Sequence, residues 1–582
     1  MRQPAQTVVV SAIIGVVATC FCQARAAPST PPPSFPVTIT IDAAKPTCNL
    51  NPIWRWCGYD EPNYTYASNG KKLIAQFAGE KSSPFGPASF RTHSLLVTGD
   101  GTPHLKWGST NAYTEDDQGR PTYDWTILDK IFDTYLDAGG KPYAQIGFMP
   151  KALSLKPEPY EHHWKPGDPY SNIYTGWTTP PKDYDKWREL CYQWARHCVE
   201  RYGMAKVKTW KWEVWNEANI AYLVPSTPGG NKVVDYEKIW DYAADGIRKA
   251  IPDAIIGGAE TAGAGGNFQR DFIEHCLNGT NYATGKKGSP LGLISFHAKG
   301  APANFRQAGH VRMGIANQLA TIKDGFRIAT ARPETANLPV VIGESDPDGC
   351  AACQSYNGLY PEFGYRNGSL FAAYTIEQLT RTLDLADRMN VHLLGAVTWA
   401  FEFEDQPIFG GFRALATDGV ALPVLNTFRM LNKMGTKRLA VTSTGDVGLE
   451  AICSRGVRGD PDVHALASRD ERRVTIVSWN YHDDDLPASS AQITLNISSL
   501  PAGLSSVRMT GWRIDETHSN AYTAWKAMGS PVKPTAEQHR QLEAASELSV
   551  SQSPIDLPIA GGNATVKLDL PRQAVSLVEL AW

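Results

Sequence analysis

The sequence predicts an α/β chain, a (β/α)8 TIM barrel with an accessory all-β sandwich domain. Three observations carry this. Between about residues 52 and 435, short apolar strands alternate with amphipathic helices, the signature of a parallel sheet. Eight such repeats fit into that stretch, as a TIM barrel with long loops requires. Beyond Gly435 the helical period stops and alternating strands take over. At 582 residues the chain also exceeds one ordinary domain of roughly 100–200 residues.

The elements follow in order. Residues 1–26 begin Met1-Arg2, run apolar from Val8 to Phe21 and end in small residues, a signal peptide cut after Ala26. The apolar run falls short of the ~20 residues a spanning helix needs, so a secreted or periplasmic protein is expected, off the membrane once cleaved. Residues 27–50 give a Pro/Ser/Thr-rich linker and a strand at 36–41 that joins the β domain. Residues 51–436 form the barrel, with strands near 54–58, 90–95, 142–148, 208–216, 254–258, 293–297, 339–343 and 393–399. One repeat shows the logic: Asp124 caps a helix, Trp125, Leu128, Ile131, Phe132, Tyr135 and Leu136 recur at helical spacing, and Gly139-Gly140 ends it. Further helices are expected at 184–201, 236–249, 311–330 and 370–389. Residues 437–582 form the sandwich, with strands at 473–481, 491–497, 507–514, 564–570 and 574–580. An open doubly wound sheet is disfavoured because no Gly-rich phosphate loop follows the first strand.

Composition excludes some functions. A net charge of −3 offers no basic field for nucleic acid or anionic lipid. The 17 Trp and 23 Tyr suit either packing or sugar-stacking walls. Eight cysteines remain after the leader. Cys350 and Cys353 suggest a local disulfide or plain thiols, and Cys191 and Cys198 are two helical turns apart, ~10 Å, too far to bridge.

Chemistry enters at two strand ends. Trp210-Lys211-Trp212-Glu213-Val214-Trp215-Asn216-Glu217 alternates like a strand, which puts Glu213, Trp215 and Glu217 on one side. Pro339-Val340-Val341-Ile342-Gly343-Glu344 is a second apolar strand ending in Glu. Three repeats of strand and helix fit between the two glutamates, so they fall on the fourth and seventh strands at the mouth where barrel active sites sit. Two carboxylates across a cleft are the equipment of glycoside hydrolysis, one protonating the leaving oxygen and one attacking the anomeric carbon. Glu217 is expected as acid/base and Glu344 as nucleophile, with no metal or organic cofactor.

These motifs resemble glycoside hydrolase family thirty-nine, which includes β-xylosidases and α-L-iduronidases. The xylosidase-like stretches are Tyr123-Asp124-Trp125, Ile146-Gly147-Phe148-Met149-Pro150-Lys151-Ala152-Leu153, Trp215-Asn216-Glu217 and Phe409-Gly410-Gly411-Phe412. The iduronidase-like ones are Arg91-Thr92-His93, Asn278-Gly279-Thr280-Asn281, His297-Ala298-Lys299-Gly300-Ala301 and Glu344-Ser345-Asp346-Pro347. The resemblance implies that Asn216 holds a 2-hydroxyl, that His93 and His297 line the sugar pocket, and that Trp399 forms its apolar platform. Lys299 stands where xylosidases carry Tyr and iduronidases carry Lys. With Arg413 it would suit a uronic acid, unless a neighbour such as Glu404 or Asp405 neutralises it.

The substrate is thus an oligosaccharide. An exo-acting β-xylosidase that trims xylo-oligosaccharides, in xylan degradation, is the first expectation. An enzyme acting on a uronic acid or an arabinopyranoside is the second, and a non-catalytic sugar-binding protein the third.

Overall fold

The computed structural model describes residues 34–103, 107–160, 176–305, 310–355 and 360–582. The expected signal peptide lies outside the described residues, as does most of the linker.

Eight parallel strands close the barrel. They are Trp56–Tyr59, Ser89–Thr92, Lys141–Ile146, Lys211–Val214, Ile255–Thr261, Leu293–Lys299, Val340–Asp346, and an eighth in two pieces, Leu393–Ala396 and Thr398–Trp399. The first piece of the eighth pairs with the seventh strand, Val340 opposite Leu393. The second pairs with the first strand, Trp399 opposite Gly58, and this closes the ring. Helices Ser68–Ala78, Thr126–Asp137, Tyr184–Tyr202, Lys232–Ala250, Gly266–Asn278, Ile315–Ala329, Ser369–Met389 and Pro423–Leu431 follow the strands in turn. Each buries an apolar stripe; Thr126–Asp137 turns Leu128, Ile131, Phe132 and Tyr135 inward. Asp124 serves this helix by accepting from the Thr126 N–H at 2.9 Å, although Trp125 is the residue at the cap.

The fourth strand is shorter than its alternation predicts. It ends at Val214, and Trp215 and Glu217 adopt left-handed φ values of 71° and 44°. The period of two therefore stops before Glu217. Glu213 points into the barrel, whereas Trp215 turns away and donates its indole N–H to the Tyr222 carbonyl at 2.9 Å.

The second unit is one mixed sheet of nine strands. Strand Phe35–Asn49 sits within it, antiparallel to Lys437–Ser443 and parallel to Ala491–Ser498. Val37, Ile39 and Ile41 alternate into a core that also holds Ile476, Leu495, Val507, Val566 and Leu580, so strands from both ends of the sheet share one interior. The expectation of strands alone after Gly435 is corrected: helices Leu449–Arg455, Ala521–Ala527 and Ala536–Ser546 also occur there. They were missed because they are short and their apolar stripes are weak. The last two form a hairpin against the barrel, with Trp525 5.2 Å from Phe409 in the loop after the eighth strand. Asn426 of the eighth helix donates to the Ser546 carbonyl at 2.8 Å.

A buried ionic cluster joins the two units. Arg381 of helix Ser369–Met389, 2% exposed, donates to Glu377 at 2.9 Å on its own helix and to Asp462 and Asp446 of the sheet unit at 2.8 Å.

Candidate active site

The strand ends bring most of the expected residues together. An oxygen of Glu217, an oxygen of Glu344 and a ring nitrogen of His297 all lie within 4.8 Å of one another. The two carboxyl groups thus approach closely enough to flank one glycosidic bond.

Four cationic or hydrogen-bonding groups surround Glu344. Lys299 Nζ is 2.7 Å from its Oε2, while Arg91 Nη1, His93 Nε2 and His297 Nδ1 stand 3.5–3.6 Å from Oε1. Burial alone would raise this carboxyl, but Lys299, His297, His93 and Arg91 outweigh burial and hold it well below the usual carboxylate range. An ionised, desolvated carboxylate is the state a nucleophile needs.

Burial opposes charge on His297 too. Glu344, Glu217 and Glu260 overcome it and push the imidazole up to about 10. It donates from Nδ1 to Glu217 and from Nε2 to Glu260, each at 2.9 Å. Protonated on both nitrogens, His297 bridges the Glu217 and Glu260 carboxyls. His93 behaves oppositely, since burial pulls it down to about 4 and keeps it neutral.

Trp399 packs against the strand-end residues. Its indole lies 4.8 Å beneath the Arg91 guanidinium and 4.4 Å from the His93 ring. It reaches this place because Gly58 has no side chain; a Cβ there would meet the indole at 2.4 Å. Behind His93, Trp107, Phe148, Trp177 and Tyr222 form an aromatic wall. Asn216 accepts from Arg91 Nη2 at 2.8 Å, which fixes its amide.

The remaining expected residues are placed differently. Lys299 is neutralised by Glu344 and by Asp346 at 2.5 Å, not by Glu404 or Asp405. Glu404 sits half-buried in the loop after the eighth strand, its carboxyl raised by burial and by Asp405. Arg413 is 1% exposed and committed to the Trp399 carbonyl at 2.9 Å and to Asp348 at 2.8 Å, behind Asp346. It is not positioned to meet a substrate carboxylate. Asp348 is also held by Arg366 in the loop that carries the Cys350–Cys353 disulfide.

Sequence reasoning missed the layer below. Arg91 donates to both oxygens of Glu213, with Nε 2.7 Å from Oε2. Burial and the neighbouring Glu260 raise Glu213, while Arg91 and His297 overcome burial and keep Glu260 ionised. Glu260 carried a signal: like Glu344 it ends an apolar strand, Ile255–Thr261, which the sequence reading closed at Gly258.

Comparison with known proteins identifies the family. The family model described as Glycosyl hydrolases family 39 matches residues 37–564. The β-xylosidase of Geobacillus stearothermophilus is 26% identical over 477 residues, covering 80% of this chain and 82% of that protein. The α-L-iduronidase of Mus musculus is 24% identical over 578 residues, covering 94% and 81%. Among solved structures, a monomeric β-xylosidase from Caulobacter crescentus CB15 superposes with a TM-score of 0.69 at 20% identity, covering 94% of this chain and 99% of that one.

Proposed function

The chain belongs to the glycosyl hydrolases of family 39, and from that premise we propose that it is a retaining, exo-acting β-xylosidase with Glu344 as nucleophile and Glu217 as acid/base. The observation that carries the reading is the approach of the two carboxylates, within 4.8 Å, around a protonated His297. Glu344 attacks the anomeric carbon as the bond to the leaving oxygen breaks, and Glu217 delivers its proton to that oxygen. Glu217 then takes a proton from water, whose oxygen attacks the same carbon and releases Glu344. Trp399 supports the sugar face, and Asn216 and His93 offer polar contacts.

The neutral pentose is favoured over a uronic acid by the state of the two cations. Lys299 already serves two carboxylates, and Arg413 is buried behind Asp346. A substrate carboxylate would enter beside Glu344 and Asp346 without an unclaimed partner from either residue. The apolar leader in the N-terminal sequence supports an exported enzyme acting on xylo-oligosaccharides.

A panel of aryl glycosides tests the reading: β-xyloside, α-L-arabinopyranoside, α-L-iduronide and β-glucuronide. The β-xyloside should give the highest kcat/KM. Preference for a uronide, selectively abolished in Lys299→Ala, would overturn the xylosidase assignment.

A further inference from the structure

The fifth barrel strand ends in a glutamate that the reaction above does not use. Glu260 is fully buried, with a left-handed φ of 46° that a non-glycine residue adopts only when its surroundings impose it. Those surroundings are specific. Its Oε1 accepts from the Tyr143 hydroxyl at 2.6 Å and its Oε2 from His297 Nε2 at 2.9 Å. Its main-chain carbonyl accepts the N–H of Glu217 at 2.8 Å. Just beyond, Asn219 and Ala262 exchange two hydrogen bonds of 2.9 and 3.0 Å, tying the loop after the fourth strand to the end of the fifth.

Glu260 therefore touches Glu217 twice, once through the backbone and once through the imidazole whose Nδ1–H donates to Glu217. The sequence makes room for this arrangement. Gly343 precedes Glu344, and a Cβ at that position would fall 1.7 Å from Glu260 Oε2.

We infer that Glu260 is a positioning residue for the acid/base: the fifth strand holds Glu217 through the Glu260 carbonyl and through a Glu260–His297–Glu217 chain. The inference rests on the assignment of Glu217 as acid/base. His297 is faced by Glu217 from the fourth-strand loop, Glu260 from the fifth strand and Glu344 from the seventh. Arg91 and Lys299 are the cations around Glu344, while Glu213 and Tyr143 back Glu260. Removing the Glu260 charge leaves His297 with two acidic neighbours and its Nε2 proton without an ionic acceptor. The ring then loses its proton at lower pH, and its tautomer is no longer fixed toward Glu217.

The test is Glu260→Gln in the full-length enzyme, read in two ways. Aryl β-xylosides of graded leaving-group ability report how far catalysis depends on proton delivery. The expected loss in kcat is about 10- to 100-fold for poor leaving groups, part of the ~10²–10⁴ a placed general acid contributes, with KM little changed. Activated leaving groups should lose much less. Nitrogen NMR of the His297 ring should show a doubly protonated imidazolium at pH 8 in the parent, and in the variant a ring that loses its second proton at lower pH than in the parent. If Glu260→Gln fails to fold, Glu260→Asp keeps the charge at a greater reach and should show the same leaving-group dependence in weaker form. A uniform loss across all leaving groups, with His297 titrating as in the parent, would overturn the inference alone, provided Glu217→Ala is inactive on poor leaving groups. Parent-level turnover of those substrates by Glu217→Ala would overturn the acid/base assignment itself.

Discussion

Lys299 Nζ lies 2.7 Å from Glu344 Oε2, so the cation that family resemblance suggests for a substrate carboxylate is bound to the proposed nucleophile. Lys299→Met should therefore act on the nucleophile. Glu344 is held well below its ordinary range against the effect of burial, with Lys299 the largest lowering influence. Removing that influence raises the carboxyl, and the acidic limb of kcat/KM moves to higher pH. A charge-assisted bond of about 1.5–3 kcal/mol corresponds to roughly one to two orders of magnitude in kcat/KM. An acidic limb that stays in place would refute this role.

Glu217→Ala should lower turnover of β-xylosides with poor leaving groups by about 10²–10⁴. Added azide, which needs no general base, should restore turnover of an activated substrate and give a β-xylosyl azide, detected by NMR. Failure of azide to rescue, with the fold intact by circular dichroism, would count against Glu217.

Gly343→Ala places a methyl 1.7 Å from Glu260 Oε2. The carboxylate must move away from His297, so kcat should fall about as far as in Glu260→Gln. Overpacking should also cost about 1–3 kcal/mol of stability, measured by urea unfolding. A variant with parent kcat would show that Glu260 need not stay where it is.

Arg381→Ala removes the cation from a buried cluster that keeps Glu377, Asp462 and Asp446 beside it. Leaving those carboxylates unpaired should cost about 3–5 kcal/mol, read from the denaturant midpoint. A loss under about 1 kcal/mol would mean that the cluster does not couple barrel and sheet energetically.

The placement of the two proposed catalytic carboxyls was legible because it depends on strand ends. Glu344 closes an unbroken apolar strand, and counting repeats places Glu217 across the mouth from it. His297 and Trp399 followed from family resemblance. The layer beneath was harder to read. Glu213 and Glu260 are charged side chains inside a barrel, where sequence patterning expects apolar ones, and they stay because Arg91 and His297 compensate them. The left-handed turn through Trp215 and Glu217 has no glycine to announce it. Arg413 looked available as a cation because its partners, Asp348 and the Trp399 carbonyl, reach it only when the loop after the seventh strand and the end of the eighth fold together. The helical hairpin on Phe409 was hidden for a related reason: its stability comes from the barrel surface it covers, not from its own short helices.

The central claim is that Glu344 forms a glycosyl-enzyme with a β-xylosyl substrate. Its most direct test is to trap that species with an activated 2-deoxy-2-fluoro-β-xyloside and map the adduct by peptide mass spectrometry. Stoichiometric inactivation is expected, with one fluoroxylosyl group on the peptide carrying Glu344 and none in Glu344→Gln. An adduct on another residue, or turnover with no adduct and release of the inverted anomer, would contradict it.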